Sequence, residues 1–331
     1  MQLTRRHLHF IALLFLLANT VCCRTGKLST NKDGQDGAPS RNPASPLAGS
    51  DPIEYLRKNR IEYLSFQSAA LNRELRYAIQ FPGSYDGHLE RRYPVVYFLH
   101  GINGSEKWFE RNGLATIISR MRFRREIGEF IVVAPSGEDS FYINAKTGAR
   151  YEDAIVEDLV SYIDKTYHTI NKPQGRAIQG ISMGGFGALV IAFKHPQLFS
   201  SVAAHSAVLY VNPPQSNCDN QNTKNICRIT RALLGKTVDG GYFRSINPID
   251  LARSRSRNIK NSGLNIYFDI GDKDKYGFQE ASEVLSRTLS KFNIPHEFHV
   301  YPGDHSQSYF LSAAPRSYSF LWDKFAKGLS E

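Results

Sequence analysis

The pentad Gly180-Ile181-Ser182-Met183-Gly184 lies between an apolar run ending in Arg176-Ala177-Ile178-Gln179 and a helix-like stretch over 185–194. A strand that passes through such a pentad straight into a helix must turn sharply, and the two glycines leave the backbone room to tighten. The residue at the turn then faces a helix N-terminus, where developing negative charge is favoured. A short G-x-S-x-G pattern also occurs by chance in ordinary loops. The strand before it and the helix after it are what make Ser182 a candidate nucleophile.

The same alternation runs through the chain. Strand-like apolar runs occur at 93–99, 130–134, 176–181, 201–205, 264–270 and 297–301, with helical stretches between them. Over 151–165, Ile155, Leu159 and Ile163 fall at i, i+4 and i+8 with Val156 and Val160 beside them, so one apolar stripe can cover a sheet. This punctuation predicts an α/β fold: a mostly parallel central sheet with helices on both faces. Segment 74–81 reads as an edge strand closed by Pro82-Gly83. Segment 211–242, with Pro213-Pro214 and several asparagines, breaks the rhythm and reads as a lid-like insertion over the carboxyl ends of the strands, where α/β enzymes bind ligands.

The chain of 331 residues is long enough for one large core, and 41% apolar with 22% charged residues is ordinary for a globular protein. The N-terminus is not ordinary. Arg5, Arg6 and His7 precede an apolar stretch, 9–18, too short to span a bilayer comfortably, so residues 1–24 read as a signal peptide for export to the envelope or beyond. Cys22 and Cys23 follow the apolar stretch, which raises a lipid anchor at one of them as an alternative. Residues 25–50, rich in Ser, Gly, Asn, Asp and Pro, read as a disordered linker, which leaves 51–331 as the folded domain. In an oxidising compartment the remaining pair, Cys218 and Cys227, favours a local disulfide.

Formal charge is +10 for the whole chain, and +7 once Arg5, Arg6 and Arg24 are taken away with the leader. The excess is spread out rather than clustered with aromatics, which argues against nucleic acid as a partner and leaves association with an anionic envelope open. The densest basic run, 122–125, reads as the solvated end of a helix.

A serine is a poor nucleophile until a base takes its proton and a carboxylate orients that base. In α/β-hydrolases, whose serine sits on such a strand-to-helix turn, the partners follow along the chain as Asp or Glu, then His, each in a loop after a strand. Of ten histidines, His305 in Pro302-Gly303-Asp304-His305 is the one that lies after the last strand and downstream of the candidate acids. His205 also ends a strand but precedes the acids; His195 and His168 read as helix-end residues. The acid lies in Gly271-Asp272-Lys273-Asp274, where Asp274 is preferred over Asp272, and Asp269 is disfavoured by its position inside the strand.

Charge on a former carbonyl oxygen needs two backbone N–H donors, each worth on the order of a hundredfold to a thousandfold in rate. Met183, directly after the serine, supplies one. Ile102, in the glycine-bearing loop His100-Gly101-Ile102-Asn103-Gly104, supplies the other. No cofactor or metal is implied. Asp272, Asp274, Gly277 and Glu283 share the spacing of a calcium loop, but Tyr276 in its fifth position and the neighbouring Lys273 and Lys275 argue against one. No Cys or His cluster has zinc spacing.

The block Arg176-Ala177-Ile178-Gln179-Gly180-Ile181-Ser182-Met183-Gly184-Gly185-Phe186-Gly187-Ala188-Leu189, continuing to His195-Pro196-Gln197-Leu198-Phe199, resembles the nucleophile region of the putative-esterase family of α/β-hydrolases. That family includes esterase D (S-formylglutathione hydrolase), feruloyl esterases and mycolyltransferases. Phe98-Leu99-His100-Gly101, Tyr151-Glu152 with Glu157-Asp158-Leu159, and Gly303-Asp304-His305 extend the resemblance over about residues 55 to 325. It implies an α/β-hydrolase fold, Ser182 as nucleophile, His305 as base, Asp274 at the family's G-x-x-D acid, and main-chain donors at Ile102 and Met183. The activity it implies is hydrolysis of a small-molecule, carbohydrate or lipid acyl ester. Acyl transfer and a non-catalytic binding module on the same fold are the alternatives, and the insertion leaves the acyl and alcohol groups undetermined.

Overall fold

In the computed structural model, which describes residues 59–88, 90–146, 148–213, 234 and 239–330, eight strands form one sheet. They are β1 (Ile61–Ser68), β2 (Arg73–Gln80), β3 (Val95–Leu99), β4 (Ile131–Pro135), β5 (Arg176–Ile181), β6 (Ser201–His205), β7 (Asn265–Gly271) and β8 (Glu297–Tyr301), in the order β1-β2-β4-β3-β5-β6-β7-β8. The pairs β1 with β2 and β2 with β4 are antiparallel, and the remaining pairs are parallel.

Side chains alternate across this sheet, so each central strand feeds two cores. On β3, Val95, Tyr97 and Leu99 join one core while Val96 and Phe98 join the other. On β4, Ile131 and Val133 oppose Val132 and Ala134 in the same way. Burial on both faces explains why these strands read as unbroken apolar runs rather than as alternating ones. Each fully buried Val, Leu or Phe contributes about 1.5–3 kcal/mol, so the middle of the sheet is where most of its burial energy is gathered.

Helix α1 (Leu114–Phe123) and the long C-terminal helix lie over one face. The composite helix α2, built from Tyr151–Asp153, Ala154–Leu159 and Val160–Thr166, packs into the other core with α3 (Met183–Lys194), α4 (Pro248–Ser254) and α5 (Phe278–Lys291). The C-terminal helix, α6, spans Gln307–Gly328. The predicted stripe on α2 is buried as expected, through Ile155, Val156, Leu159, Val160 and Ile163, but its middle segment is wound as a π-helix.

Two expectations are corrected. The strand expected at 74–81 is β2, and it is not an edge: it sits between β4 and β1, a strand the sequence pattern did not reveal. The run 122–125 is not simply a solvated helix end, because Arg122 is buried, donating to the Phe130 carbonyl and, at 3.1 Å, to Asn59 Oδ1, with its guanidinium over the Phe130 ring. Residues 1–58, Cys218 and Cys227 lie outside the described residues, as does most of the segment 211–242.

Candidate active site

Because β5 to β8 run parallel and in step, their carboxyl ends open on one rim. Ile181 pairs with His205, His205 with Asp269, and Gly271 with Tyr301. Ser182 leaves β5, Asp274 lies in the loop just past β7, and His305 in the loop just past β8. Residues far apart in the chain are thereby delivered to one place.

The turn at Ser182 is sharp, with φ 52° and ψ −117°. Such a conformation is costly for a residue with a Cβ and persists only where the surroundings enforce it. Here the Ser182 N–H donates to the His205 carbonyl at 2.8 Å, and its own carbonyl accepts from Phe186 at 3.0 Å. The flanking glycines are required by contact: a Cβ at Gly180 would collide with the backbone of Gly184, and one at Gly184 with the Leu99 carbonyl. The pentad thus packs against the end of β3, which continues into the loop carrying Ile102.

Three side chains form one hydrogen-bonded line. His305 Nε2 lies 2.8 Å from Ser182 Oγ, and Nδ1 lies 2.7 Å from Asp274 Oδ2. With Nδ1–H donating to the carboxylate, Nε2 is left to accept from the serine hydroxyl. Ser182 is 8% exposed, and the His305 and Asp274 side chains are 8% and 0% exposed, so solvent reaches the serine and little of the acid. Asp274 also accepts from the Tyr276 N–H at 3.0 Å. Its rival Asp272 is turned to another task, accepting from the Gly303 N–H at 2.9 Å and holding the two loops together.

The Ile102 loop is tied down on both sides. The His100 N–H donates to the Tyr142 hydroxyl at 2.9 Å, the Asn103 N–H to Asp139 at 2.8 Å, and the Gly104 N–H to the Gly101 carbonyl at 3.1 Å. These bonds use the N–H groups around Ile102 and not that of Ile102 itself. Met183 opens α3, where the first-turn N–H groups have no partner within the helix. The His100 ring is used on both nitrogens, Nδ1–H donating to the Gly101 carbonyl at 2.7 Å and Nε2 accepting from the Gly137 N–H at 2.9 Å. Burial lowers the His100 pKa from its ordinary value and keeps this ring neutral.

A model of the Putative esterase family matches residues 68–317. The chain belongs to that family. As a member it is 27% identical over 267 residues to an esterase of Mycobacterium tuberculosis, an alignment covering 74% of this chain and 56% of that protein. The chain therefore spans little more than half the length of that curated relative. A diacylglycerol acyltransferase/mycolyltransferase of Mycobacterium gordonae is 27% identical over 158 residues, 45% of this chain and 43% of that protein. Among solved structures, a ferulic acid esterase superposes with a TM-score of 0.67 at 26% identity, over 80% of this chain and 98% of that chain. The fold is that of an α/β-hydrolase.

Several residues of this family member's site were not legible in its sequence. Tyr276, Phe278 and Phe310 surround the His305 imidazole, with ring centroids 4.8, 5.8 and 5.3 Å away. Tyr142 and Asp139 hold the Ile102 loop from beyond β4. His205, the rival histidine, does not approach Ser182 with its ring: it is buried and bonded to Asp269 at 2.8 Å. Among the described residues no group of His, Cys, Asp or Glu gathers as metal ligands.

Proposed function

We propose that this protein is an exported serine carboxylesterase that acts through an acyl-enzyme. The observation that carries this reading is the continuous line from Ser182 Oγ through His305 to Asp274, at 2.8 and 2.7 Å. His305 Nε2 takes the Ser182 proton as Oγ attacks the acyl carbonyl. Asp274 keeps the imidazole in the required tautomer and stabilises the imidazolium that forms. The N–H groups of Ile102 and Met183 receive the oxyanion. As the tetrahedral intermediate collapses, the ester C–O bond breaks and His305 returns the proton to the departing alkoxide, releasing the alcohol. Water then attacks the acyl-Ser182 bond by the same route, with His305 as base, and the acid leaves. Membership of the esterase family and likeness to a ferulic acid esterase support a carboxylic ester as substrate.

The test is hydrolysis of p-nitrophenyl acetate. Ser182→Ala is expected to lose about 10⁴-fold or more in kcat, because the serine, base and acid act as a unit. Full activity in that variant would remove the proposal.

A second reading is favoured by the mycolyltransferase relative: a sugar or lipid hydroxyl replaces water at the second step. Product analysis with trehalose or glycerol present separates the two. Transferred acyl product at the expense of free acid would establish transfer, and free acid alone would establish hydrolysis.

A further inference from the structure

Beneath the rim lies a second set of serine, histidine and aspartate. His205 Nδ1 is 2.8 Å from Asp269 Oδ2, and His205 Nε2 is 2.9 Å from Ser317 Oγ. All three are 0–1% exposed, so this set is sealed from solvent and from any ester. Asp269 collects two further donors, the hydroxyls of Tyr309 at 2.8 Å and Tyr267 at 2.9 Å. Burial acts to raise the pKa of its carboxyl, but His205 and these two hydroxyls outweigh that and hold it below the ordinary aspartate value.

The partners of this cluster reach the catalytic line from both ends. The carbonyl of His205 receives the Ser182 N–H, the bond that fixes the strained nucleophile turn, and the Asp269 carbonyl receives the Ser206 N–H at 2.8 Å. Tyr309 sits in the first turn of α6, four residues after His305. Its ring packs where a Cβ on Gly303 would have to be, and its hydroxyl is held by Asp269. One buried carboxylate therefore holds, on one side, the side chain of His205, whose carbonyl receives the Ser182 N–H, and on the other, through Tyr309, the loop carrying the base. Ser317, further along α6, anchors the opposite end.

From this geometry we infer that His205, Asp269 and Tyr309 are positioning residues that set the approach of His305 Nε2 to Ser182 Oγ. The inference rests on the proposed roles of Ser182 and His305. A displacement of about 1 Å in such an alignment costs on the order of a hundredfold in rate, so a partial loosening is expected to cost roughly tenfold.

The experiment compares Tyr309→Phe, Asp269→Asn and Ser317→Ala with the unaltered protein. It measures kcat and KM on p-nitrophenyl acetate, the rate of reaction with a fluorophosphonate per folded molecule, and the melting temperature. Tyr309→Phe, which removes only a hydroxyl, is expected to lower kcat roughly tenfold with KM little changed, and to slow phosphonylation by the same factor. Asp269→Asn is expected to act in the same direction and more strongly. Ser317→Ala, which removes only the partner of His205 Nε2, is expected to lower both rates by a smaller factor than Tyr309→Phe. If Tyr309→Phe keeps its kcat and phosphonylation rate and loses only stability, the inference is overturned and the cluster is purely structural. Failure of the unaltered protein to react at Ser182 would overturn the proposed function and this inference with it.

Discussion

Ser182 carries a backbone conformation that most side chains avoid, and the cost of holding it is the clearest residue-level mark of a functional site. Ser182→Gly is therefore expected to be inactive yet more stable, by about 1 kcal/mol, since glycine adopts a positive φ without strain. Thermal unfolding checks this, and a variant that melts lower would show that the turn is not strained. The two loop aspartates separate just as sharply. Asp274→Asn is expected to lower kcat by roughly a thousandfold or more, because the amide can donate and no longer fixes the imidazole tautomer. Asp272→Asn should stay within about tenfold, since Asp272 braces Gly303 rather than His305. Steady-state kinetics on both variants decide the matter. The sequence preferred Asp274, where the family resemblance also puts the acid, but it carried no physical reason: both aspartates follow β7 in a short loop, and the difference lies in which neighbour each carboxylate meets. Ser182 was legible for the opposite reason, since close backbone approach forces glycine on both sides of it.

At the scale of elements, the strand ends supply the rim and the loops between them supply its precision. The Ile102 loop hangs on the bond from the His100 N–H to Tyr142, whose hydroxyl is buried. Tyr142→Phe leaves that N–H buried without an acceptor, a penalty of about 1–3 kcal/mol. The expected result is a lower melting temperature together with a lower kcat, because the loop that offers the Ile102 N–H loosens. An unchanged kcat would mean that the loop is held by its other bonds. The glycines of this loop were visible in the sequence, whereas Tyr142 was not, because it reaches the loop from beyond β4 and carries no local signature. The same limit hid β1. Ile61–Ser68 is an outer strand with Tyr63 and Leu64 exposed, so it lacks both the alternation of a half-buried strand and the apolar continuity of a central one. The central strands, buried on both faces, announced themselves.

Across the whole molecule, α2 and the end of α3 are joined through Glu152, which accepts from Lys194 at 2.7 Å and pairs with His195 at 2.8 Å. Burial would raise the pKa of this carboxyl, but His195 and Lys194 outweigh it and hold it below its ordinary value of 4.5. A carboxyl with a lowered folded pKa contributes stability that is complete above its unfolded value and is lost as pH falls through the folded one. Asp269 follows the same sign. Stability should therefore decline below about pH 5, and Glu152→Gln should flatten part of that decline while lowering stability near neutrality. Chemical denaturation at several pH values checks this, and an unchanged acid limb would show that Glu152 is not a linkage group. The central claim, that Ser182 is the nucleophile His305 activates, is tested most directly by treating the protein with a fluorophosphonate and mapping the adduct by peptide mass. The account predicts one adduct on Ser182 that disappears or slows by orders of magnitude in His305→Ala. An adduct on another residue, or labelling of Ser182 at an undiminished rate without His305, would contradict it.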